Sequence, residues 1–263
     1  MYTKQEIDYP RKFQIFPCGG WDIPFDYDYF FKDLYDCGFN LTSFIDIKYI
    51  NLAKKYKLKS IVGTSLMDRS IEDTKERAKD FTEKFTKTIG KNNLENVYFI
   101  YISDEPQANE KNKNELSILS EAISTNLKIK PYVNLLPNYA NNEQLGMDDY
   151  EEYLDFYTKA CKLDYVSYDN YSFFMGEAPN KPNITFTKGG AWFDEDTFYS
   201  NMESVKTVAD KNKATFINTI QSARFLNMPD IEEFMIYVQG WSTLAYGGRG
   251  LSYYSCTYLC GLR

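Results

Sequence analysis

Two adjacent carboxylates, Asp104 and Glu105, are the side chains in this sequence best suited to proton transfer. Residues 97–102 read Val-Tyr-Phe-Ile-Tyr-Ile, and aromatic and β-branched side chains in such a run favour a buried strand. The strand would deliver both acids to its carboxyl end. There, partial burial and the repulsion between two like charges would raise one pKa, as a general acid needs near neutral pH. Because neighbouring strand residues face opposite sides, this requires a twist or bulge at the strand end.

A second interpretation gives the same two acids a structural role. Acidic residues are favoured at the start of a helix, and Pro106 could begin a helix directly after them. In that case Asp104 and Glu105 would cap the helix and take no part in chemistry.

Composition narrows the chemistry further. The chain has no histidine, which excludes Ser-His-Asp and Cys-His nucleophile systems and zinc sites built on imidazole. The formal net charge of -7 disfavours nucleic acid as a partner, since nucleic-acid binding needs a basic stripe. The five cysteines form no C-x-x-C pair, so we expect reduced, mostly buried thiols. The acids lack a recognisable ligand spacing, and we predict neither a metal ion nor another cofactor.

No stretch of the sequence predicts a targeting or membrane segment. The first residues lack the apolar core of a signal peptide, and no apolar run approaches the length of a transmembrane helix. We therefore expect no membrane partner and a cytoplasmic location. A secreted or cell-surface location would require a leader that has been removed.

Predicted strands and helices alternate along the whole chain. Eight strands begin near residues 13, 39, 58, 97, 130, 165, 215 and 250, and seven helical segments separate them. This pattern predicts a (β/α)₈ TIM barrel, as a single domain over residues 1–263. A doubly wound open sheet is the alternative, although no G-x-G-x-x-G follows a strand.

Two regions depart from the regular barrel pattern. Residues 172–190 show no periodicity and predict a long loop, which in a compact domain is often functional. Too few residues follow the eighth strand to form an eighth helix. We therefore expect that helix to be missing, or the chain to be the N-terminal part of a longer protein.

The carboxyl ends of the strands of such a barrel converge on one funnel, where catalytic groups lie. Besides Asp104 and Glu105, the residues that we predict to line it and bind substrate are Trp21, Asp22, Asn134, Asp169, Tyr171, Trp192, Gln221 and Tyr254. Acids, amides and aromatic rings without basic residues suit a neutral polyhydroxy ligand better than a phosphate. Trp241 belongs to an apolar helix and is predicted to lie mainly in the core.

Three segments together resemble the barrel domain of β-galactosidase-like glycoside hydrolases of clan A. They are Ser-Asp-Glu-Pro at residues 103–106, Tyr-Asp-Asn-Tyr at 168–171 and the glycine- and tyrosine-rich run at 244–254. The resemblance spans nearly the whole chain and implies hydrolysis of glycosidic bonds in a neutral oligo- or polysaccharide. It also implies that Glu105 is the general acid/base, with Asp104 where the family usually has an asparagine.

The sequence departs from that family at the seventh strand. The family's nucleophile is a glutamate at the end of this strand, whereas residues 215–221 end in Gln221, which cannot form the glycosyl ester of retaining hydrolysis. Either the alignment is shifted by a few residues, or Asp169 serves instead, or the substrate supplies the nucleophile. The last alternative arises because the consecutive Asp-Glu also resembles N-acetylhexosaminidases, in which the substrate's acetamido group attacks.

Two other function classes remain open at this stage. The barrel could be a carbohydrate-binding module that has lost hydrolysis together with its nucleophile. An aldolase or lyase barrel would need a catalytic lysine inside, and the nearest candidates, Lys130 and Lys188, do not lie at the carboxyl end of a strand.

Overall fold

The computed structural model describes residues 13–19, 26–187, 189–224 and 228–254. Its strands are β1 (Gln14–Cys18), β2 (Leu41–Ile45), β3 (Lys59–Val62), β4 (Val97–Asp104), β5 (Lys130–Leu135), β6 (Tyr165–Asp169), β7 (Phe173–Phe174), β8 (Ile184–Phe186), β9 (Trp192–Asp194), β10 (Thr215–Gln221) and β11 (Gly250–Tyr254). All except β7, β8 and β9 belong to one parallel eight-stranded sheet. The predicted (β/α)₈ barrel is confirmed, and its seventh and eighth strands are β10 and β11.

The barrel sheet runs in the order β1-β11-β10-β6-β5-β4-β3-β2 and is nearly closed between β1 and β2. At this seam Asn40 joins the two strands: its backbone N–H donates to the Ile15 carbonyl at 3.1 Å, and its side-chain oxygen accepts from the Ile15 N–H at 2.9 Å. The Asn40 amide also donates to the Phe13 carbonyl at 2.7 Å. An asparagine side chain therefore supplies bonds that a regular strand ladder would provide.

Helices cover the outer face of the sheet between successive barrel strands. They are α1 (Tyr27–Asp36), α2 (Ile50–Lys55), α3 (Thr74–Ile89), α4 (Glu110–Ala122), α5 (Asn142–Leu145), α6 (Tyr150–Ala160), α7 (Glu195–Lys211) and α8 (Glu233–Ala245). The side chain of Asn109 caps α4 by accepting from the Asn112 N–H. Because Asn109 takes this role, the interpretation of Asp104 and Glu105 as helix caps is wrong.

The inside of the barrel is filled by apolar and aromatic side chains. Phe16, Leu41, Ile61, Phe99 and Ile217 form one buried cluster with Tyr132 and Tyr165. Larger clusters fill the space between the strands and the helices. Burial on both faces explains why the barrel strands read as nearly continuous apolar runs.

The segment after β6 differs from the predicted loop. The strands β7, β9 and β8 form a small antiparallel sheet, with Phe173 paired to Phe193 and Phe174 paired to Trp192. Phe173 and Phe193 are buried, and their rings stack at 4.5 Å between centroids. The prediction of a structureless loop over residues 172–190 is therefore wrong, since strands of two and three residues are too short to show a periodicity.

The apolar helix α8 also differs from expectation. Trp241 is 67% exposed, so the prediction that it lies mainly in the core is wrong. The apolar residues of α8 misled the prediction because several of the largest lie on its outer face. The inner face carries buried Met235, Gln239 and Thr243, and the outer face carries exposed Phe234, Tyr237, Trp241 and Leu244.

Some expectations concern other parts of the chain. The predicted absence of an eighth helix falls on residues 255–263, which lie outside the described residues. Of the three described cysteines, Cys161 is buried, Cys18 is partly buried and Cys37 is exposed. No helix within the described ranges is long and apolar enough to cross a bilayer.

Candidate active site

The carboxyl end of β4 carries Asp104 and Glu105 to the carboxyl end of the barrel, which we call the funnel. The pairing of β4 with β5 shifts register between Tyr101 and Ser103, so the strand has the irregularity that was predicted. Glu105 then adopts a left-handed backbone with φ of 43°, and its N–H donates to the Asn134 carbonyl at 2.8 Å. A non-glycine residue in such a conformation costs on the order of 1–3 kcal/mol and persists only when its surroundings hold it.

Two buried tyrosines of α6 hold the loop after Glu105. The Tyr153 hydroxyl donates to the Pro106 carbonyl at 3.1 Å and accepts from the Leu136 N–H at 3.2 Å. The Tyr157 hydroxyl donates to the Gln107 carbonyl at 2.6 Å. The backbone on the far side of Glu105 is therefore fixed by a neighbouring helix, which accounts for the strained conformation being maintained.

Asn134, in β5, connects the acids of β4 and β6. Its amide nitrogen donates to Asp169 Oδ1 at 2.8 Å and to Asp104 Oδ1 at 3.3 Å. Its amide oxygen accepts from the Ser167 hydroxyl at 3.0 Å, and Ser167 in turn contacts the Tyr132 hydroxyl at 2.5 Å. The Ser167 contact orients the amide so that its nitrogen, and not its oxygen, faces the two carboxylates.

Asp169 and Glu105 form a coupled pair of carboxyl groups. Asp169 is only 7% exposed, and its burial together with the charge of Glu105 raises its pKa to about 8. Burial and the charge of Asp104 also raise the pKa of Glu105, while a hydrogen bond with the Asp169 side chain opposes that rise. Near neutral pH the pair therefore holds one proton between its two members.

Tyrosines surround these carboxyl groups. The Tyr101 hydroxyl forms a hydrogen bond with Asp104, and the Tyr171 and Tyr254 rings lie 5.2 Å apart. Tyr139, in the loop after β5, has a half-exposed ring, and its hydroxyl forms a hydrogen bond with the backbone of Tyr171. Burial and the charge of Asp169 raise the pKa of the Tyr139 hydroxyl, which places it beside the pair.

The opposite side of the funnel, formed by β10, β11 and β1, has neutral side chains. Gln221 is fully buried. Its side-chain amide forms two hydrogen bonds with the backbone of Phe173: it accepts from the N–H at 3.2 Å and donates to the carbonyl at 3.2 Å. The Cys18 thiol lies near Ser252. Burial and the charges of Asp169 and Asp104 raise the pKa of this thiol to about 12, so it stays protonated.

The structure places most of the predicted site residues around one funnel. Asp104, Glu105, Asn134, Asp169, Tyr171 and Tyr254 lie together, whereas the amide of Gln221 is bonded to backbone and Trp192 lies in β9 against Phe174. Trp21, Asp22 and Lys188 lie outside the described residues. Lys130 pairs with Asp164 at the amino end of β5, away from the funnel.

Sequence reasoning did not select Cys18 or Tyr139. Cys18 is the last residue of β1 and could have been found by applying the strand-end rule to a thiol. Tyr139 lies four residues beyond the end of β5, and no signal in the sequence separates it from the other tyrosines.

No protein-family model matches the sequence, and a search of curated proteins finds no significant match. Solved structures do share the fold. A protein from Bacteroides thetaiotaomicron assigned as an alpha-L-fucosidase matches with a TM-score of 0.62 and 11% identity, over 97% of this chain and 89% of that one. A GH18 chitinase from Pseudoalteromonas aurantia matches with a TM-score of 0.55 and 8% identity, over 93% and 94% of the two chains.

An HpcH/HpaI aldolase from Desulfitobacterium hafniense also matches, with a TM-score of 0.52 and 10% identity over 96% of this chain and 90% of that one. Glucanases and a second chitinase are among the other matches. At such low identities these likenesses show that the chain has the barrel fold that glycoside hydrolases use. The particular family is not shown by the fold.

Proposed function

We propose that this chain is a glycoside hydrolase that cleaves glycosidic bonds of a neutral oligo- or polysaccharide, with Glu105 as general acid/base. The observation that carries the proposal is the Glu105–Asp169 pair, which holds one proton at the carboxyl end of a TIM barrel. Tyrosine rings beside the pair offer apolar faces to sugar rings and hydroxyls to their polar groups. Among the described residues, no basic group affects the pKa of Glu105 or Asp169, so this wall offers nothing that would favour an anionic substrate.

In the proposed mechanism Glu105 donates a proton to the glycosidic oxygen as the bond to the leaving group breaks. Near neutral pH Asp169, whose pKa is raised to about 8 by burial and the charge of Glu105, holds the proton of the pair and supplies it through its hydrogen bond with Glu105. Once the leaving group has taken that proton, Asp169 and Glu105 are both ionised. The ionised Glu105 then accepts a proton from the water that completes hydrolysis.

The source of the nucleophile distinguishes two forms of this mechanism. Classical retention needs a second carboxylate about 5 Å from the acid, on the other side of the sugar. Residues 215–221 contain no acid, the Gln221 amide is bonded to Phe173, and Asp169 is hydrogen-bonded to Glu105 instead of facing it across a sugar.

These observations favour attack at the anomeric carbon by the carbonyl oxygen of a substrate's own 2-acetamido group. Asp104 or Asp169 would orient the acetamido N–H. The cyclic oxazolinium that forms is then opened by water, which regenerates the acetamido group.

A panel of 4-nitrophenyl glycosides with and without a 2-acetamido group tests the proposal through nitrophenol release. Wild type should cleave at least one member, and Glu105→Gln should lower kcat by about 10²–10⁴-fold, as loss of a general acid does. Glu110→Gln is the matched control, because Glu110 is an exposed acid in the first turn of α4. Cleavage confined to 2-acetamido glycosides would support the substrate-assisted form.

A second candidate function is a carbohydrate-binding barrel without hydrolysis, which the occupied amide of Gln221 favours. This function would be supported if wild type and Glu105→Gln bound the same oligosaccharide with equal affinity and neither cleaved it. Full activity of Glu105→Gln on any glycoside would contradict the role given to Glu105 in both forms of the mechanism.

A further inference from the structure

The small sheet after β6 carries a row of aromatic side chains that the proposed mechanism does not use. The strand register pairs Phe174 with Trp192 and Trp192 with Phe186, so these three residues lie side by side on one face. The opposite face carries Phe173 and Phe193, which pack into the core. We call Phe174, Trp192 and Phe186 the aromatic row.

The aromatic row is apolar and partly exposed, and it contains one N–H group without a hydrogen bond among the described residues. Phe186 is 66% exposed, and the Trp192 ring lies 4.6 Å from that of Phe174. Trp192 itself is 9% exposed, and its buried indole N–H has no hydrogen-bond partner among the residues that the structure describes. A buried donor without a partner costs on the order of 1–3 kcal/mol. Trp192 is largely covered, and Phe186 is the member of the row most exposed to solvent.

The row lies at the carboxyl end of the barrel, where the funnel is, because β7 begins four residues after β6 ends at Asp169. Phe174 follows Tyr171 by three residues, and Gln221 at the end of β10 bonds both backbone groups of the neighbouring Phe173. Because neighbouring strands lie about 4.8 Å apart, the three side chains extend the aromatic surface by about 10 Å, roughly the length of two sugar rings.

We propose that the aromatic row is a binding subsite for a neutral oligosaccharide chain that extends out of the funnel. The inference deepens the proposed function and rests on it, because it makes the substrate a chain of several sugars. Pyranose rings would pack their C–H faces on Phe186 and its neighbours while their hydroxyls face water.

The test measures binding in a Glu105→Gln background, so that no chain is cleaved during the experiment. Oligosaccharides of one to six β-1,4-linked glucose or N-acetylglucosamine units are titrated by calorimetry. Affinity should rise with chain length in one of the two series, and Phe186→Ala should weaken binding of the longest chains about tenfold. Binding of the monosaccharide should not change.

The matched control is Trp241→Ala. Trp241 is as exposed as Phe186 but lies on the outer face of α8, so its loss should leave affinity unchanged at every chain length.

The outcomes separate this inference from the proposed function. Equal affinities of Phe186→Ala and Trp241→Ala at every length, or no gain in affinity with length, would overturn the subsite. A change in self-association of Phe186→Ala without a change in sugar affinity would identify a protein contact and would also overturn it. Length-dependent binding that needs Phe186, in a protein whose wild type cleaves no glycoside, would support the subsite and contradict hydrolysis.

Discussion

The two sides of the funnel differ in charge and in what holds their side chains. On the side of β4, β5 and β6, the acids Asp104, Glu105 and Asp169 surround Asn134, which donates to two of them. On the side of β10, β11 and β1, Gln221 is bonded to backbone and Cys18 is a neutral thiol. We call these the acidic wall and the neutral wall.

The comparison shows which wall of the funnel can supply the proton for a reaction. The proton that can be transferred near neutral pH lies on the acidic wall, where the pKa of Asp169 is raised to about 8. The neutral wall, within the described residues, has no ionised group to attack a sugar, so it contributes shape and hydrogen bonds. A reaction in this funnel therefore draws its nucleophile from the acidic wall, from water or from the substrate.

The largest expected effect comes from replacing the buried carboxyl group of Asp169 by an amide in Asp169→Asn. Below about pH 4 Asp169 is protonated in both the folded and the unfolded protein, so it does not affect stability. Between about pH 4 and the folded-state pKa of about 8, the unfolded chain loses this proton while the folded protein keeps it, and stability falls. Asp169→Asn should thus be more stable than wild type by several kcal/mol, on the order of 3, at pH 8, with little difference at pH 4.

Urea unfolding between pH 4 and pH 8 measures that difference. Asp155→Asn is a control of opposite sign, because hydrogen bonds from Asn212 and Lys159 outweigh the effect of burial there and lower the pKa of Asp155 to about 2. That variant should be less stable than wild type above pH 4. A stability gain in Asp169→Asn that does not vary with pH would contradict the raised pKa of Asp169.

The next effect tests whether the neutral wall can be made acidic. In Gln221→Glu the new carboxylate would face the Phe173 carbonyl, which now accepts from the amide, so we expect a loss of about 1–3 kcal/mol in stability. Gln221→Ala loses both side-chain bonds to Phe173, whereas the carboxylate of Gln221→Glu can still accept from the Phe173 N–H. A melting temperature of Gln221→Glu below that of Gln221→Ala would therefore show the cost of the buried charge. Treatment of Gln221→Glu with a 2-fluoro glycoside should form no covalent adduct at position 221. A mass increase at that position would show that this wall can supply a nucleophile.

A smaller effect sharpens the role of Asn134. Its bond to Asp169 lowers the pKa of that acid, so Asn134→Ala should move the alkaline limb of the kcat/KM profile up by about 0.5–1 pH unit, equivalent to about 1 kcal/mol. Asn138→Ala is the control, since Asn138 bonds Asn201 and Thr197 and contacts no acid of the funnel. A lower kcat/KM in Asn134→Ala with an unchanged alkaline limb would show that Asn134 has a structural role and does not act on the pKa of Asp169.

The smallest effect is expected at Cys18 in the neutral wall. Because its pKa is raised to about 12, the thiol should resist iodoacetamide at pH 8, whereas the exposed Cys37 should react. Cys18→Ser should change the activation free energy that kcat/KM reports by less than about 0.5 kcal/mol. Peptide mapping of the alkylated protein measures both sites at once, and rapid labelling of Cys18 would show that an ionised thiol is present on this wall.

The barrel could be predicted from the sequence because its strands are buried on both faces. The predicted bounds of β10 and β11 agree with the structure, since each is an apolar run between polar or glycine-containing segments. The same logic placed Asp104, Glu105, Asn134 and Asp169 at one end of the barrel, because parallel strands end there together.

The bonding of these side chains could not be predicted in the same way. The amide of Gln221 is used by Phe173, which lies 48 residues earlier in the chain, and no local pattern encodes that contact. Strands of two or three residues carry too few side chains to show an alternation, so the small sheet was missed. For Trp241, the apolar residues of α8 predicted burial, although the buried positions of this helix include the polar Gln239 and Thr243.

The two tyrosines of α6 that bond the loop after Glu105 have a consequence for engineering. The conformation of this loop depends on a helix that belongs to a later βα unit of the barrel, so the loop is not a self-contained module. Grafting residues 104–109 onto another barrel would transfer the acids without their support. A successful transplant would have to carry Tyr153 and Tyr157 as well.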